Sequence, residues 1–272
     1  MKFKVFILII VLLAVQGCTN KSNTLHLKPQ TDSIQNKLTH LKQPKDTDTE
    51  ENFEDEFATK ESVEISDPLS GYNRVMTSFN DKVFTYALDP ISRGYATIIP
   101  EPIRESVSNA IHNIEFPIRF ANNLLQGKFK NSADELGRFV FNSTIGLGGL
   151  FDPASSKLHI PAHNEDFGQT LGYYGVGSGF HVVLPFLGPS NVRDIVGLTA
   201  DAYTSPLVYQ KGLKRYKVPN NYGEGIAIYA GKIINKNSLH LGAYESLKKD
   251  AIDLYPFLRD IYEEKRISDI AE

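Results

Sequence analysis

The sequence predicts a mostly α-helical protein, and three observations carry that expectation. Apolar residues recur at helical spacing in one segment after another. Proline, glycine and short polar residues punctuate the ends of those segments. Alternating runs of strand type are scarce, and "FHVVLPFL" (180–187) is too short to alter the class.

The segment "SDPLSGYNRVMTSFNDKVFTYAL" opens with Ser66 and Asp67 as cap candidates and Pro68 in the first turn, where a missing N–H costs nothing. Tyr72, Val75, Met76, Phe79 and Val83 then share a face. In "PEPIRESVSNAIHNIEF" the apolar face is Ile103, Val107, Ala110, Ile111 and Ile114. Pro117 breaks that helix, Ile118, Ala121, Leu124 and Leu125 resume it, and Gly127 marks its stop. Ser132 and Glu135 read as a capping box ahead of Leu136, Phe139, Val140 and Ser143. A further helix starts behind Ser190 or Asn191. The C-terminal part reads as helices in which Pro256 either kinks the last one or begins a new one. On pattern alone, the apolar faces are expected to pack a core.

The N-terminus carries different information. Lys2 and Lys4 precede an apolar run from Val5 to Val15, shorter than the about 20 residues a spanning helix needs and of signal-peptide type. It ends in "VQGC", a lipobox, and Cys18 is the only cysteine of the chain. Residues 1–17 are therefore expected to be a lipoprotein signal, with Cys18 carrying acyl and diacylglycerol lipid. Thr19 behind it favours sorting to the outer membrane. Residues 18–64 are poor in apolar side chains and end in an acidic cluster, from which a disordered acidic tether is expected. The third part, 65–272, is the helical domain. It is close to neutral, which argues against nucleic acid as a partner.

The glycine-rich stretch "GQTLGYYGVGSGFHVVLPFLGPS" (168–190) invites a nucleotide reading. From Gly175 the dinucleotide pattern meets Gly177 and then Phe180; from Gly146 it meets Gly148 and then Phe151. Both fail at the third glycine, and no phosphate-binding G-x4-G-K-[ST] loop occurs. "HIPAHNED" spaces His159 and His163 as a zinc helix would, but Pro161 lies between them. There is no G-x-S-x-G elbow, and nothing orients a base toward Ser143 or Ser178. No catalytic residue, metal or small-molecule cofactor is expected.

Six segments in register resemble the MlaA/VacJ family of outer-membrane lipoproteins: "DPLSGYNRVMTSFND", "IPEPIRESVSN", "NNLLQGKF", "LGRFVFNSTIGLGGLFDPA", "EDFGQTLGYYGVGSGFHVVLPFLGPSNVRD" and "YPFLRDIYEEKR". The resemblance implies a single ring-shaped helical domain lying in the inner leaflet of the outer membrane, with a central amphipathic channel. It implies a non-enzymatic protein that removes phospholipid strayed to the outer leaflet and passes it to a soluble periplasmic carrier, maintaining lipid asymmetry. A trimeric porin is the implied membrane partner. Channel candidates are Asn73, Arg74, Phe79, Asn80, Gly146, Gly148, Gly149, Phe151, Gly172, Tyr173, Tyr174, Gly175, Gly177, Gly179 and Phe180. Arg138 and Arg193 are the candidates for headgroup contact. The competing expectation is an envelope lipoprotein that docks other proteins and moves no lipid. The chain has no tryptophan, a common interfacial residue, so tyrosine and phenylalanine would have to serve that role.

Overall fold

The computed structural model describes residues 66–213 and 215–272. The expected signal and tether, with Cys18, lie outside the described residues. The described part is helical apart from one short hairpin. In chain order, α1 is Ser70–Val83, α2 Asp89–Ile98, α3 Glu101–Ile114, α4 Phe116–Leu125, α5 Phe129–Thr144, α6 Pro153–Ser156 and α7 Phe167–Tyr173. Strands β1 (His181–Leu184) and β2 (Gly188–Asn191) follow, then α8 (Val192–Thr204), α9 (Tyr222–Ser238), α10 (Ala243–Asp250) and α11 (Leu254–Ala271). No described helix is long and apolar enough to cross a membrane.

Local chemistry explains most boundaries. A π-helical turn, Phe84–Leu88, joins α1 to α2, with the Asp89 N–H reaching back to the Phe84 carbonyl just before Pro90. Proline cannot donate to the preceding turn, so the register loosens there. Pro117 starts α4, and Gly127, in the left-handed region at φ 74°, follows its end. Asn191 caps α8 by accepting from the Asp194 N–H at 2.9 Å, and Asp166 caps α7 from the Gln169 N–H at 2.8 Å. Pro256 sits in the first turn of α11 and begins it. The strands pair antiparallel, His181 opposite Asn191 and Leu184 opposite Gly188.

Two expectations fail. Ser132 and Glu135 form no capping box. Helix α5 begins at Phe129, and Glu135 is fully buried inside it, drawn to Arg119 on α4 at 2.7 Å. The second correction is general: the apolar faces do not pack a core. Among the described residues the buried hydrophobics are Ala154, Val183, Leu207 and Tyr255, and buried polar or charged side chains outnumber them several-fold. On α4 the inward residues are Arg119, Asn122 and Asn123, while Leu124 and Leu125 are exposed. On α5 they are Ser132, Glu135, Arg138 and Asn142, while Leu136 and Val140 face out. Hydrogen bonding replaces hydrophobic packing in the interior, which satisfies groups that burial alone would penalise.

Helix α11 shows how this works. Its inner face is Tyr255, Tyr262, Glu263 and Arg266. The Tyr255 hydroxyl donates to Asp67 at 2.6 Å, and that of Tyr262 to Asp194 at 2.6 Å. Glu263 accepts from Asn191 and lies 2.8 Å from Nδ1 of the buried His181. Arg266 donates to both Asp166 and Asp194, joining the cap of α7 to the first turn of α8. Close backbone approach completes the joint, for a Cβ on Gly197 of α8 would strike the backbone of Gly168 on α7.

Candidate functional site

Among the described residues, one cavity has a volume of about 1390 Å³. That exceeds the about 300–1,000 Å³ of ordinary small-molecule sites. Its walls differ in chemistry. Leu198, Leu207, Val208, Tyr209, Tyr222, Ile226, Ile228 and Tyr229, from α8, the following loop and α9, make a largely apolar side. His112, Glu115, Arg119, Lys128, His163, Glu165, Asp166, Lys265 and Arg266, joined by Asp201 of α8 and Lys232 of α9, make a charged one.

Local structure fixes the charged wall. Gln126 and Lys128, just beyond α4, converge on Glu165: the Gln126 amide donates at 2.8 Å and the Lys128 ammonium at 2.7 Å. Thr170 donates to the Asn122 side chain at 2.9 Å, tying α4 to α7. Asp201 accepts from the Asn122 amide and the Phe167 N–H, each at 3.0 Å. Burial raises the Asp201 pKa above the usual carboxylate value despite those bonds. Burial, aided by the Arg119 charge, lowers that of His112. The apolar wall is held by Lys217, whose ammonium donates to the carbonyls of Ala202, Tyr203 and Ser205 at 2.7–2.9 Å. A cation there satisfies the free carbonyls at the end of α8 and pins the loop that lines the cavity.

None of the channel or headgroup candidates named from the sequence lines this cavity, although His163 of the histidine pair does. Asn80 lines a smaller one, about 200 Å³, beneath the hairpin. Its amide donates to the Leu184 carbonyl at 2.9 Å and its oxygen accepts from the Phe186 N–H at 2.7 Å. Phe79 meets the Phe186 ring edge-on at 5.1 Å. Asn73 is buried among Asp67, Tyr255 and the backbone of His181 and Val183, and Arg74 pairs with Asp253. Gly146 is packed so closely against the Asn142 and Phe151 backbone that no side chain fits, and Gly149 abuts Asn113. Gly172 lies under Ile270, and Gly179 against Val192. Gly148, Gly175 and Gly177 face open space, as the exposed Phe151, Tyr173, Tyr174 and Phe180 do in whole or part.

The two arginines chosen for headgroup contact have internal partners instead. Arg138, 4% exposed, donates to Ser155, the Ile160 carbonyl and Asp152. Arg193 donates to Asp194 and the Val176 carbonyl. Of the two spaced histidines, His163 bonds Asp134, while His159 sits on left-handed backbone at φ 53°.

Sequence reasoning missed the charged wall because it tracked apolar periodicity. The complementary signal was present: Arg119, Asn122, Asn123 and Gln126 recur at helical spacing inside an otherwise apolar stretch.

A polar, hydrogen-bonded interior, an apolar exterior without a spanning helix, and a cavity with one apolar and one charged wall define a helical protein of inverted amphipathic type. The family model described as "MlaA lipoprotein" matches residues 65–269, and the chain belongs to that family. It is 36% identical over 146 residues to the intermembrane phospholipid transport system lipoprotein MlaA of Haemophilus influenzae, covering 53% of this chain and 58% of that one. The Escherichia coli K12 protein of the same name is 39% identical over 142 residues, 51% of this chain and 56% of that one. An uncharacterised Rickettsia bellii protein is 29% identical over 203 residues, 75% and 76% of the two chains. A chain solved for the structural basis of maintenance of bacterial outer membrane lipid asymmetry superposes with a TM-score of 0.64 at 29% identity, covering 75% of this chain and 99% of that chain. The matched part spans under three fifths of the Haemophilus and Escherichia relatives.

Proposed function

We propose that this protein is an outer-membrane lipoprotein that takes mislocalised phospholipid from the outer leaflet and delivers it toward a soluble periplasmic carrier. The inverted burial pattern carries the reading. Tyr86 is 80% exposed, Ile98 78% and Phe129 70%, and exposure of so many large apolar side chains calls for an apolar surrounding. Amphipathic helices that do not span suit a body lying in one leaflet. The two-faced cavity offers acyl chains one wall and a headgroup the other, so a polar headgroup need not cross hydrocarbon. Membership of the family and the phospholipid-transport role in the relatives' names support the same reading.

In this scheme Cys18 carries the lipid anchor, a trimeric porin is the membrane partner, and the protein performs no chemistry on its cargo. The sequence-named glycines and aromatics near the hairpin border the lipid path, and the 1390 Å³ cavity forms part of it. The test is a deletion strain assayed for surface-exposed phospholipid, with mass spectrometry of lipid bound to the purified protein. Raised outer-leaflet phospholipid and co-purifying lipid are expected. A lipid-free protein with unchanged outer-leaflet composition would sink the transport reading and favour a docking lipoprotein.

A further inference from the structure

We propose that the cavity selects zwitterionic, ammonium-bearing phospholipids over anionic ones, an inference that rests on reading it as part of a phospholipid path. Five cations and six carboxylates line it. Each of those cations is already engaged by a carboxylate. Lys128 pairs with Glu165 at 2.7 Å, Lys265 with Asp269 at 2.7 Å, and Lys232 with Glu115. Arg119 pairs with Glu135 at 2.7 Å, and Arg266 with Asp166 and Asp194 at 2.8 Å. Asp201 is held by neutral donors, Asn122 and the Phe167 N–H.

A phosphodiester arriving here meets no free lining cation among the described residues. To bind, it must draw Lys128 or Lys232 away from its carboxylate. A carboxylate left unpaired in a partly desolvated wall is costly. An ammonium-bearing headgroup removes that cost by exchange: its phosphate takes the lysine, and its ammonium takes Glu165, Glu115 or Asp201. The count of charges in the wall is then unchanged. A phosphatidylglycerol headgroup brings a negative charge and no cation, so the displaced carboxylate stays unpaired and the surplus of acids in the wall grows. The apolar side, from Leu198 to Tyr229, is common to both lipids and cannot tell them apart. Selection therefore rests on the charged wall.

The experiment uses the full-length protein incubated with vesicles holding equal phosphatidylethanolamine and phosphatidylglycerol of identical acyl chains. Lipid retained after capture is quantified by mass spectrometry. Phosphatidylethanolamine should be enriched about three- to tenfold, the scale of one modest charge interaction. Glu165→Gln, which frees Lys128, should move the ratio toward phosphatidylglycerol. Asp201→Asn should lower phosphatidylethanolamine retention without raising that of phosphatidylglycerol, which a general loss of folding would not do. Equal retention of the two lipids, or a ratio indifferent to both substitutions, overturns the selectivity. Retention of no lipid at all overturns the transport reading itself.

Discussion

Arg119 on α4 donates to Glu135 on α5 at 2.7 Å, with both side chains nearly or fully withdrawn from solvent. The same carboxylate accepts from the His163 N–H at 2.8 Å, so one buried acid holds two helices and the loop before α7. Removing one partner of such a pair leaves the other buried and uncompensated. Glu135→Ala should therefore lower stability by about 3–5 kcal/mol, read by denaturant unfolding in detergent. Paired replacement of Arg119 and Glu135 by methionine and leucine should cost much less. A single variant as mild as the double one would refute the account.

Glycines separate into two groups by what surrounds them. A side chain at Gly197 would meet the Gly168 backbone, and backbone cannot swing aside. Gly197→Val should part α7 from α8 and prevent accumulation of folded protein. Gly177 faces open space, so Gly177→Val should leave the melting temperature nearly unchanged. Comparable losses at both positions would contradict the packing described. This contrast also sharpens the transport test, because a defect in Gly177→Val would report on lipid passage without loss of fold.

Most long helices were legible in the sequence, but α2, α6 and α7 were not, the last because its glycines read as a turn, and orientation was not legible either. Leu136 and Val140 do share a face, as their spacing requires, yet that face is exposed. Periodicity defines a stripe but is silent on which side of the helix is inside. The deciding evidence was the polar stripe, Arg119, Asn122, Asn123 and Gln126, whose burial only tertiary contacts reveal. The candidate site was less legible. Its charged wall gathers Lys128, Glu165 and Lys265, residues far apart in the chain and each ordinary in its own segment. The glycine-rich stretch is conspicuous because composition is visible locally, while convergence is not.

The exposed apolar side chains predict membrane affinity independent of the lipid anchor. A Cys18→Ser protein, lacking acylation, should still float with phospholipid vesicles. Adding Ile98→Lys and Phe129→Lys, which place charges on outward-facing residues, should shift it to the soluble or aggregated fraction. An unlipidated protein that stays fully soluble with vesicles present would show that the anchor alone provides attachment.

Hairpin geometry predicts a local effect. Asn80 makes two side-chain bonds to the turn, beside the Leu187 N–H to Leu184 carbonyl bond within it, and Phe186 stands there on left-handed backbone at φ 64°. Asn80→Ala should remove about 1–2 kcal/mol of local restraint and open the Leu184–Gly188 segment. Limited proteolysis should then cut there first, with global unfolding little changed. Unaltered cleavage would show that Phe79 and the strands suffice to hold the turn.

Acid should weaken the α5–α6 joint through Asp152. Burial alone would raise the pKa of this carboxylate. Bonds from Ser155 and Asn142 and the Arg138 charge outweigh it and bring the value down from 3.8 to about 2. The native state thus holds the carboxylate ionised where the unfolded chain takes up a proton, so the unfolded state binds more protons between those values. Its stabilisation is fully present above 3.8 and is lost as the pH falls toward about 2. Asp152→Asn removes the titrating group and keeps a similar shape. The stability gap between the wild type and this variant should be widest above pH 3.8 and close progressively toward pH 2. Denaturant midpoints measured across that range decide the matter, and a gap that does not narrow would mean Asp152 acts by packing rather than by charge.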